Sequence, residues 1–372
     1  MANSQFPAPA TLPGGQSGPL KDGSRAEAGP GPASSEWLAR FPPGYFAFVM
    51  ATGIISAAGH LLAVPAVPEA LFALNLIAYP VLWGITLARL LRFPGAMLRD
   101  MASHGVGPTF LTMVAGTSVL GTQFVLLTPW REVALALWLL AGLLWLVLIY
   151  GFFLAMTLAE PKPPIERGLG GAWLLVTVAT ESIAVLGASV ADLLPQPEAV
   201  IFICLCFFLL GGMFYGILIS LILYRWLFFN LSAEMLTPPY WINMGAVAIT
   251  TLAGAQLMLY VKAHPGLLPF LPLLTALTAG FWAAASWWVP LLATMTIWRY
   301  AVKRIPLAYD PQYWSMVFPL GMYTTATDSY ARAAGYGFLM PIPHVFVWIA
   351  LVAWIAAFGG LVFRVARILA RP

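Results

Sequence analysis

The chain has 372 residues, of which 61% are hydrophobic and 9% carry a formal charge. Soluble domains contain about 25% charged residues, so this composition excludes an ordinary soluble domain and predicts an integral membrane protein. The net charge of +4 does not indicate a nucleic-acid partner, because the basic residues follow the loops of one membrane face.

Residues 1–36 are rich in Pro, Gly, Ser and Ala and contain no apolar run. Such a segment buries too little apolar surface to offset the entropy of ordering, so it is predicted to be a disordered cytoplasmic tail. A basic region followed by a short apolar region does not precede the first span, and no cleavable signal peptide is expected. Residues 37–372 are predicted to form one transmembrane domain.

Ten apolar segments fill that domain, and each is long enough for a helix that crosses the hydrocarbon core in roughly 20 residues. The predicted spans are 43–63, 69–91, 107–128, 132–158, 171–194, 198–229, 240–262, 267–300, 312–334 and 342–368. The fold class is therefore predicted to be all-α, with ten transmembrane helices.

The odd-numbered segments share a short core that is rich in Thr and small residues. These cores are Met50–Ile54, Val114–Ser118, Val178–Ser182, Ala248–Leu252 and Tyr323–Thr327. Their first residues are separated by 64, 64, 70 and 75 positions, an interval that fits one two-helix hairpin. Self-similarity at a fixed period is the signature of a repeat architecture, so five hairpins are predicted in a quasi-five-fold arrangement around a central pore.

Lys and Arg are distributed unevenly between the two predicted membrane faces. The face that holds the amino terminus carries 15 of the 18 basic residues, and only Arg131, Lys262 and Arg332 fall on the other. By the positive-inside rule, both termini are predicted to be cytoplasmic in a multi-pass protein of the cell inner (plasma) membrane.

Stripes of polar and small residues at helical spacing mark candidate pore-lining faces on the odd segments. The candidate pore-lining residues are Phe48, Thr52, Ser56, Thr177, Asn243, Thr250, Met322 and Thr325. Small residues and Thr also serve tight helix packing in membranes, so packing is the alternative for any one helix. Recurrence in all five odd segments favours a pore lining.

Ionisable residues inside the membrane are functional hypotheses by default. Glu181 lies in the middle of the fifth span, on one face with Thr177, and desolvation there favours the neutral form of its carboxyl group. It is predicted either to couple protons to transport or to form a hydrogen bond that fixes helix packing. Asp328 is predicted to lie in a solvated vestibule or to pair with Arg332, four residues later.

Signals for metal, cofactor and enzymatic chemistry are lacking in the sequence. The four histidines, at positions 60, 104, 264 and 344, do not have the spacing of a zinc site, so no metal site is predicted. Nucleotide-binding and zinc-protease motifs are absent, and no cofactor and no enzymatic activity are expected. Cys204 and Cys206 point apart on a helix and are predicted to be free thiols.

Three motifs at the starts of odd segments carry a family resemblance. They are Phe41–Ile54, Pro239–Ile249 and Tyr313–Tyr323. With them, the chain resembles the tellurite-resistance and C4-dicarboxylate transporter family, which also contains plant slow anion channels, fungal malate transporters and sulfite exporters. The resemblance covers residues 38–368.

The resemblance implies ten helices in five hairpins, odd helices around a central pore, and a homotrimer in the lipid bilayer. Family members carry a pore-plugging phenylalanine directly before a proline in the ninth helix, and the matching pair here is Phe318 and Pro319. The expected function is transport of small anions, such as C4-dicarboxylates or inorganic anions, through a phenylalanine-gated pore. A proton-coupled sulfite or dicarboxylate exporter that uses Glu181 is the alternative, and a membrane-bound enzyme or scaffold is a remote one.

Overall fold

The computed structural model describes residues 36–370, which are helical with no β-strand in that range. The predicted tail lies outside these residues, apart from Glu36. The long helices are α1 (Phe46–Leu61), α2 (Val67–Arg92), α3 (Thr112–Leu127), α4 (Arg131–Leu158), α5 (Leu175–Val190), α6 (Pro197–Phe228), α7 (Ile242–Ala263), α8 (Leu271–Ile297), α9 (Trp314–Ala334) and α10 (Pro341–Leu369). Each predicted span overlaps one of these helices, and the all-α class is confirmed.

Membrane-crossing potential is not uniform among these helices. Within the described residues, nine helical segments are long and apolar enough to cross a membrane, and α9 is not among them. This helix contains Pro319, Asp328 and Arg332 together with three threonines, which lower its mean hydropathy. Its polar character therefore distinguishes α9 from the other long helices.

The helices form an inner and an outer shell. In the apolar windows of α1, α3, α5 and α7, 78 to 89% of residues are buried, against 11 to 33% in those of the even helices. In α9, 17 of 21 residues are buried. The exposed surface of the even helices consists largely of Leu, Ile, Val, Phe and Trp. An apolar outer surface of this kind suits contact with lipid, where polar groups are costly.

The odd helices close a ring. In cyclic order, α1 contacts α3, α3 contacts α5, α5 contacts α7, α7 contacts α9, and α9 contacts α1. Each even helix packs against the odd helix that precedes it in the chain. The chain is therefore built of consecutive helix pairs whose first members meet at the centre.

A 3₁₀ turn precedes every odd helix. These turns are Pro43–Tyr45, Gly107–Leu111, Gly171–Leu174, Pro238–Trp241 and Pro311–Tyr313. Proline suits the start of a helix because its φ angle is already helical and its missing N–H needs no partner there. The first residues of the turns are separated by 64, 64, 67 and 73 positions.

This spacing corrects the register of the last two repeats. The structural equivalents of Met50, Val114 and Val178, seven positions after the start of the turn, are Gly245 and Phe318. Matching of Thr-rich cores placed the fourth and fifth copies three and five residues too late. The Thr-rich cores do not align in the structure because the threonines of α7 and α9 occupy positions that are not equivalent to those of the first three odd helices.

Threonines of the inner helices bind tryptophans of the outer shell. The indole N–H groups donate to threonine hydroxyls in three pairs: Trp354 to Thr52 at 2.9 Å, Trp145 to Thr180 at 2.9 Å, and Trp282 to Thr327 at 3.1 Å. A buried indole N–H needs such a partner. The Thr-rich cores therefore attach outer helices to the ring, which is the packing alternative for these residues.

Two smaller expectations are met. Cys204 is buried and Cys206 exposed, and both are free thiols.

Arg332 donates to both carboxylate oxygens of Asp328, at 2.8 and 2.9 Å, so of the two alternatives for Asp328 the ion pair is confirmed. Asp328 is almost fully buried, and its partner half exposed.

Candidate functional site

The ring of odd helices encloses a narrow cavity of about 60 Å³ toward their carboxyl ends, here called the carboxyl-end cavity. Eleven positions after the start of each turn, its wall is formed by Ile54, Ser118, Ser182, Ile249 and Met322. Eighteen positions after that start, it is formed by Leu61, Val125, Ser189, Gln256 and Ser329. None of the described residues that line it is charged. All five repeats thus contribute equivalent positions to one apolar wall with a few hydroxyl groups.

A larger cavity of about 500 Å³, here called the amino-end cavity, lies where the odd helices begin. The segments before all five odd helices contribute to its wall. Its lining includes His104 and the charged side chains Glu166, Arg167 and Arg225. Because free backbone N–H groups and the positive end of the helix dipole occur at helix amino termini, convergence of five such ends favours anions.

Phe318 lies between the two cavities. The amino-end cavity extends along the helices to Leu175 and Ser315, and the carboxyl-end cavity begins at Ser182 and Met322. The intervening layer consists of Met50, Val114, Val178, Gly245 and Phe318, all of which are buried. Phe318 is one helical turn before Met322 and so shares its face of α9. At this level, where neither cavity has a lining residue, the Phe318 side chain is 1% exposed.

Close helix contacts fix α9 at this level. A Cβ atom added to Gly245 of α7 would lie 2.8 Å from Cγ of Pro319, and one added to Gly321 would lie 2.8 Å from Cγ2 of Ile54 in α1. Such distances are too short for ordinary carbon contacts, so a side chain at either position would force its neighbours to shift. Pro319 also lacks a backbone N–H, which weakens the helix at the residue after Phe318.

The predicted lining residues of α1 are directed at other helices. The Phe48 ring packs edge-on against Trp314, with ring centroids 4.8 Å apart. The Thr52 hydroxyl accepts a hydrogen bond from the indole N–H of Trp354, and the Ser56 hydroxyl donates one to the carbonyl oxygen of Pro68 at 2.7 Å. These three side chains therefore connect α1 to α9, α10 and the start of α2.

On α9, the predicted lining residues Met322 and Thr325 do line the carboxyl-end cavity. The Thr250 hydroxyl of α7 donates to the carbonyl oxygen of Ala246 at 2.9 Å and lies beside the carboxyl group of Glu181. Thus the ninth helix presents its polar stripe to the cavity, whereas Thr250 belongs to a different environment.

Thr250 and Glu181 belong to a set of buried polar residues of α5 and α7, here called the polar seam, which also includes Thr177 and Asn243. The carboxyl group of Glu181 faces α6, where a Cβ added to Gly211 would overlap it. Because the nearby Thr250 hydroxyl donates to Ala246, both Glu181 carboxyl oxygens lack a hydrogen-bond donor of good geometry among the described residues, as the Thr177 hydroxyl and both Asn243 amide atoms lack a partner. Such groups are costly inside a protein unless water or another polar partner satisfies them. The polar seam lies outside the lining of both cavities.

Arg225 is a residue that sequence reasoning counted only as a topological charge. It ends an apolar helix, and its side chain lines the amino-end cavity while only 5% exposed. The guanidinium group donates to the hydroxyl of Tyr240, in the turn before α7. The sequence marks Arg225 only as a cation in the last turn of an otherwise apolar segment. Helix ends carry such charges in many membrane proteins, so this feature does not single out a cavity residue.

A ring of helices with an apolar outer surface and a cavity toward each of its ends is typical of the channel or transporter class. The chain belongs to the voltage-dependent anion channel family, whose model matches residues 40–362. This confirms the family resemblance. Members of this class move solutes across the bilayer.

Relatives of three kinds support this assignment. An uncharacterized membrane protein of Mycobacterium tuberculosis is 37% identical over 156 residues, which are 41% of this chain and 77% of the relative. An uncharacterized transporter of Methanocaldococcus jannaschii is 22% identical, with 86% of this chain and 93% of the relative covered. A sulfite efflux pump of Trichophyton rubrum is 25% identical, with 88% and 92% covered.

Proposed function

We propose that this protein conducts small anions through the ring of odd helices and that Phe318 is its gate. The observation that carries the proposal is the position of Phe318 between two cavities, in a chain of the anion channel family. A phenyl ring in a narrow passage excludes water and raises the barrier for an ion, as hydrophobic constrictions do in other channels. Pro319 permits the local bending of α9 that opening requires.

Anion selectivity has two supports. The amino ends of five helices surround the amino-end cavity, where they favour negative charge. Glu181 is absent from the lining of both cavities. A carboxylate 4 Å from a passing anion would raise the energy of that anion by about 4 kcal/mol at an effective dielectric of 20. The position of Glu181 outside the cavity lining avoids that repulsion.

The proposed assembly follows the sequence. All ten long helices, α9 included, span the inner (plasma) membrane as five hairpins with quasi-five-fold symmetry, and both termini are cytoplasmic. The amino-end cavity then opens to the cytoplasm, and three protomers form a homotrimer. The narrow carboxyl-end cavity favours a small inorganic anion over a C4-dicarboxylate or a bulkier tellurium oxyanion.

Planar-bilayer recording of the purified protein tests this function. Gradients of chloride, nitrate and malate distinguish anion from cation current by the sign of the reversal potential. We expect anion-selective current, larger for chloride and nitrate than for malate. Cation-selective current would contradict the proposal.

A second candidate is a proton-coupled carrier that exports sulfite or a related acid. The unpartnered carboxyl group of Glu181 and the sulfite efflux pumps among the relatives favour it. Here the polar seam would move a proton beside the anion path. Sulfite flux into proteoliposomes separates the candidates: a carrier gives saturable flux that an imposed proton gradient drives, whereas a channel gives flux that follows the anion gradient alone.

A further inference from the structure

The amino-end cavity contains a buried cation without an ion-pair partner. Within residues 36–370, no carboxylate oxygen lies within 4.0 Å of the Arg225 guanidinium group. Arg225 is 5% exposed, and the opposite charge of Glu166 acts on it without an ion-pair contact, so the cost of burying its charge is only partly offset. An anion in the cavity would remove this cost.

The geometry of Arg225 suits an anion with two oxygens. Its Nη1 atom donates to the Tyr240 hydroxyl, while Nε and Nη2 make no hydrogen bond to the residues that the structure describes. That edge of a guanidinium group carries two parallel N–H donors, which match two oxygens of one oxyanion. Tyr240 holds the group from the opposite edge, so the free edge is pre-oriented.

Backbone groups add to this positive environment. A Cβ added to Gly171, in the turn before α5, would lie 2.7 Å from Cα of Tyr240, so the turns before α5 and α7 approach closely beside Arg225. Both helix amino termini therefore meet at this side of the cavity. Arg167 contributes a second positive charge to the wall, and Glu166 an opposing negative one.

We propose that Arg225 forms a binding subsite for small inorganic oxyanions, such as nitrate or hydrogen sulfite, in the amino-end cavity. The subsite rests on the proposed anion transport and adds to it a loading step ahead of the Phe318 layer. Tyr240 positions the guanidinium group, and Glu166 lowers the affinity for anions through its charge. Chloride, which has no oxygen pair, gains less from the free edge than nitrate does.

Titration calorimetry on the full-length protein in detergent tests the subsite, with nitrate and chloride as probes. Arg225→Gln should weaken nitrate binding about tenfold or more, because a hydrogen bond to a charged group contributes about 1.5–3 kcal/mol. Arg225→Lys should weaken nitrate binding more than chloride binding. Glu166→Gln should strengthen both. Arg92→Gln, which removes an exposed charge outside this cavity, should change neither.

Tyr240→Phe provides a second variant in case Arg225→Gln does not fold, and it should weaken nitrate binding several-fold. Equal nitrate affinity in wild type, Arg225→Lys and Tyr240→Phe would overturn the subsite, as would the absence of saturable binding to wild type. Bilayer recording separates this failure from that of the proposed function. Anion current in a protein without the binding differences refutes the subsite and leaves the channel, whereas calorimetric binding without any anion current refutes the channel and leaves the subsite.

Discussion

Pro319 of α9 packs directly against Gly245 of α7. A Cβ atom added to Gly245 would lie 2.8 Å from Cγ of the proline ring. Gly245 belongs to the layer of residues that contains Phe318. The backbone of α7 therefore supports α9 at the level of the proposed gate. Any side chain at position 245 must displace the proline and the phenylalanine beside it.

The first prediction concerns Gly245→Ala. We expect a loss of about 1–3 kcal/mol of stability from overpacking and an increased anion leak, because displacement of Pro319 moves the Phe318 ring. Thermal unfolding in detergent and bilayer current measure the two effects. Gly142→Ala in α4, which meets no atom within 4 Å, is the control. If both variants match wild type, the contact does not support the gate.

The second prediction concerns the gate itself. Phe318→Ala should raise anion current at least tenfold, because removal of about 1.4 kcal/mol from a barrier already gives that factor. Phe318→Leu should give an intermediate current. Phe208→Ala removes an equally buried ring that packs against Phe281 in the outer shell. It should leave the current unchanged, and an equal rise in both alanine variants would refute a specific gate.

The third prediction separates the roles of Glu181. In a Phe318→Ala background, Glu181→Gln should leave anion conductance unchanged, because the carboxyl group faces α6 and lies outside the cavity lining. If the wild type shows the proton-driven sulfite flux of the carrier candidate, Glu181→Gln in the wild-type background should abolish it, since an amide cannot carry the proton. Retained proton-driven flux in a folded variant would eliminate Glu181 from coupling.

The fourth prediction tests the contact between Gly211 and Glu181. Gly211→Ala should destabilise the protein by about 1–3 kcal/mol, because its methyl group overlaps the carboxyl group. Gly216→Ala, on the same helix with no atom within 4 Å, is the matched control. In a Glu181→Ala background, Gly211→Ala should cost less stability than it does in the wild type, since contacting residues couple in a double-mutant cycle. If the effects of the two substitutions on the unfolding temperature simply add, the two residues are not in contact.

The sequence by itself determined the membrane class of the protein, its all-α fold and the approximate positions of the long helices. These features are local, because the bilayer fixes both the length and the hydrophobicity of a crossing helix. The three motifs at Phe41–Ile54, Pro239–Ile249 and Tyr313–Tyr323 indicated the family as well. The ion pair between Asp328 and Arg332 was accessible for the same reason, since it needs only the geometry of one helix.

Only the tertiary structure decided which face of each helix meets the cavity. Thr52 and Thr325 look alike in sequence, yet one binds Trp354 of the outer shell and the other lines the carboxyl-end cavity. Small polar residues serve packing and solvation equally well in a membrane, so their role depends on the neighbouring helix. The same holds for Glu181, which faces Gly211, and for Arg225, which reaches the amino-end cavity. Each depends on contacts between segments distant in the chain, and no local periodicity encodes them.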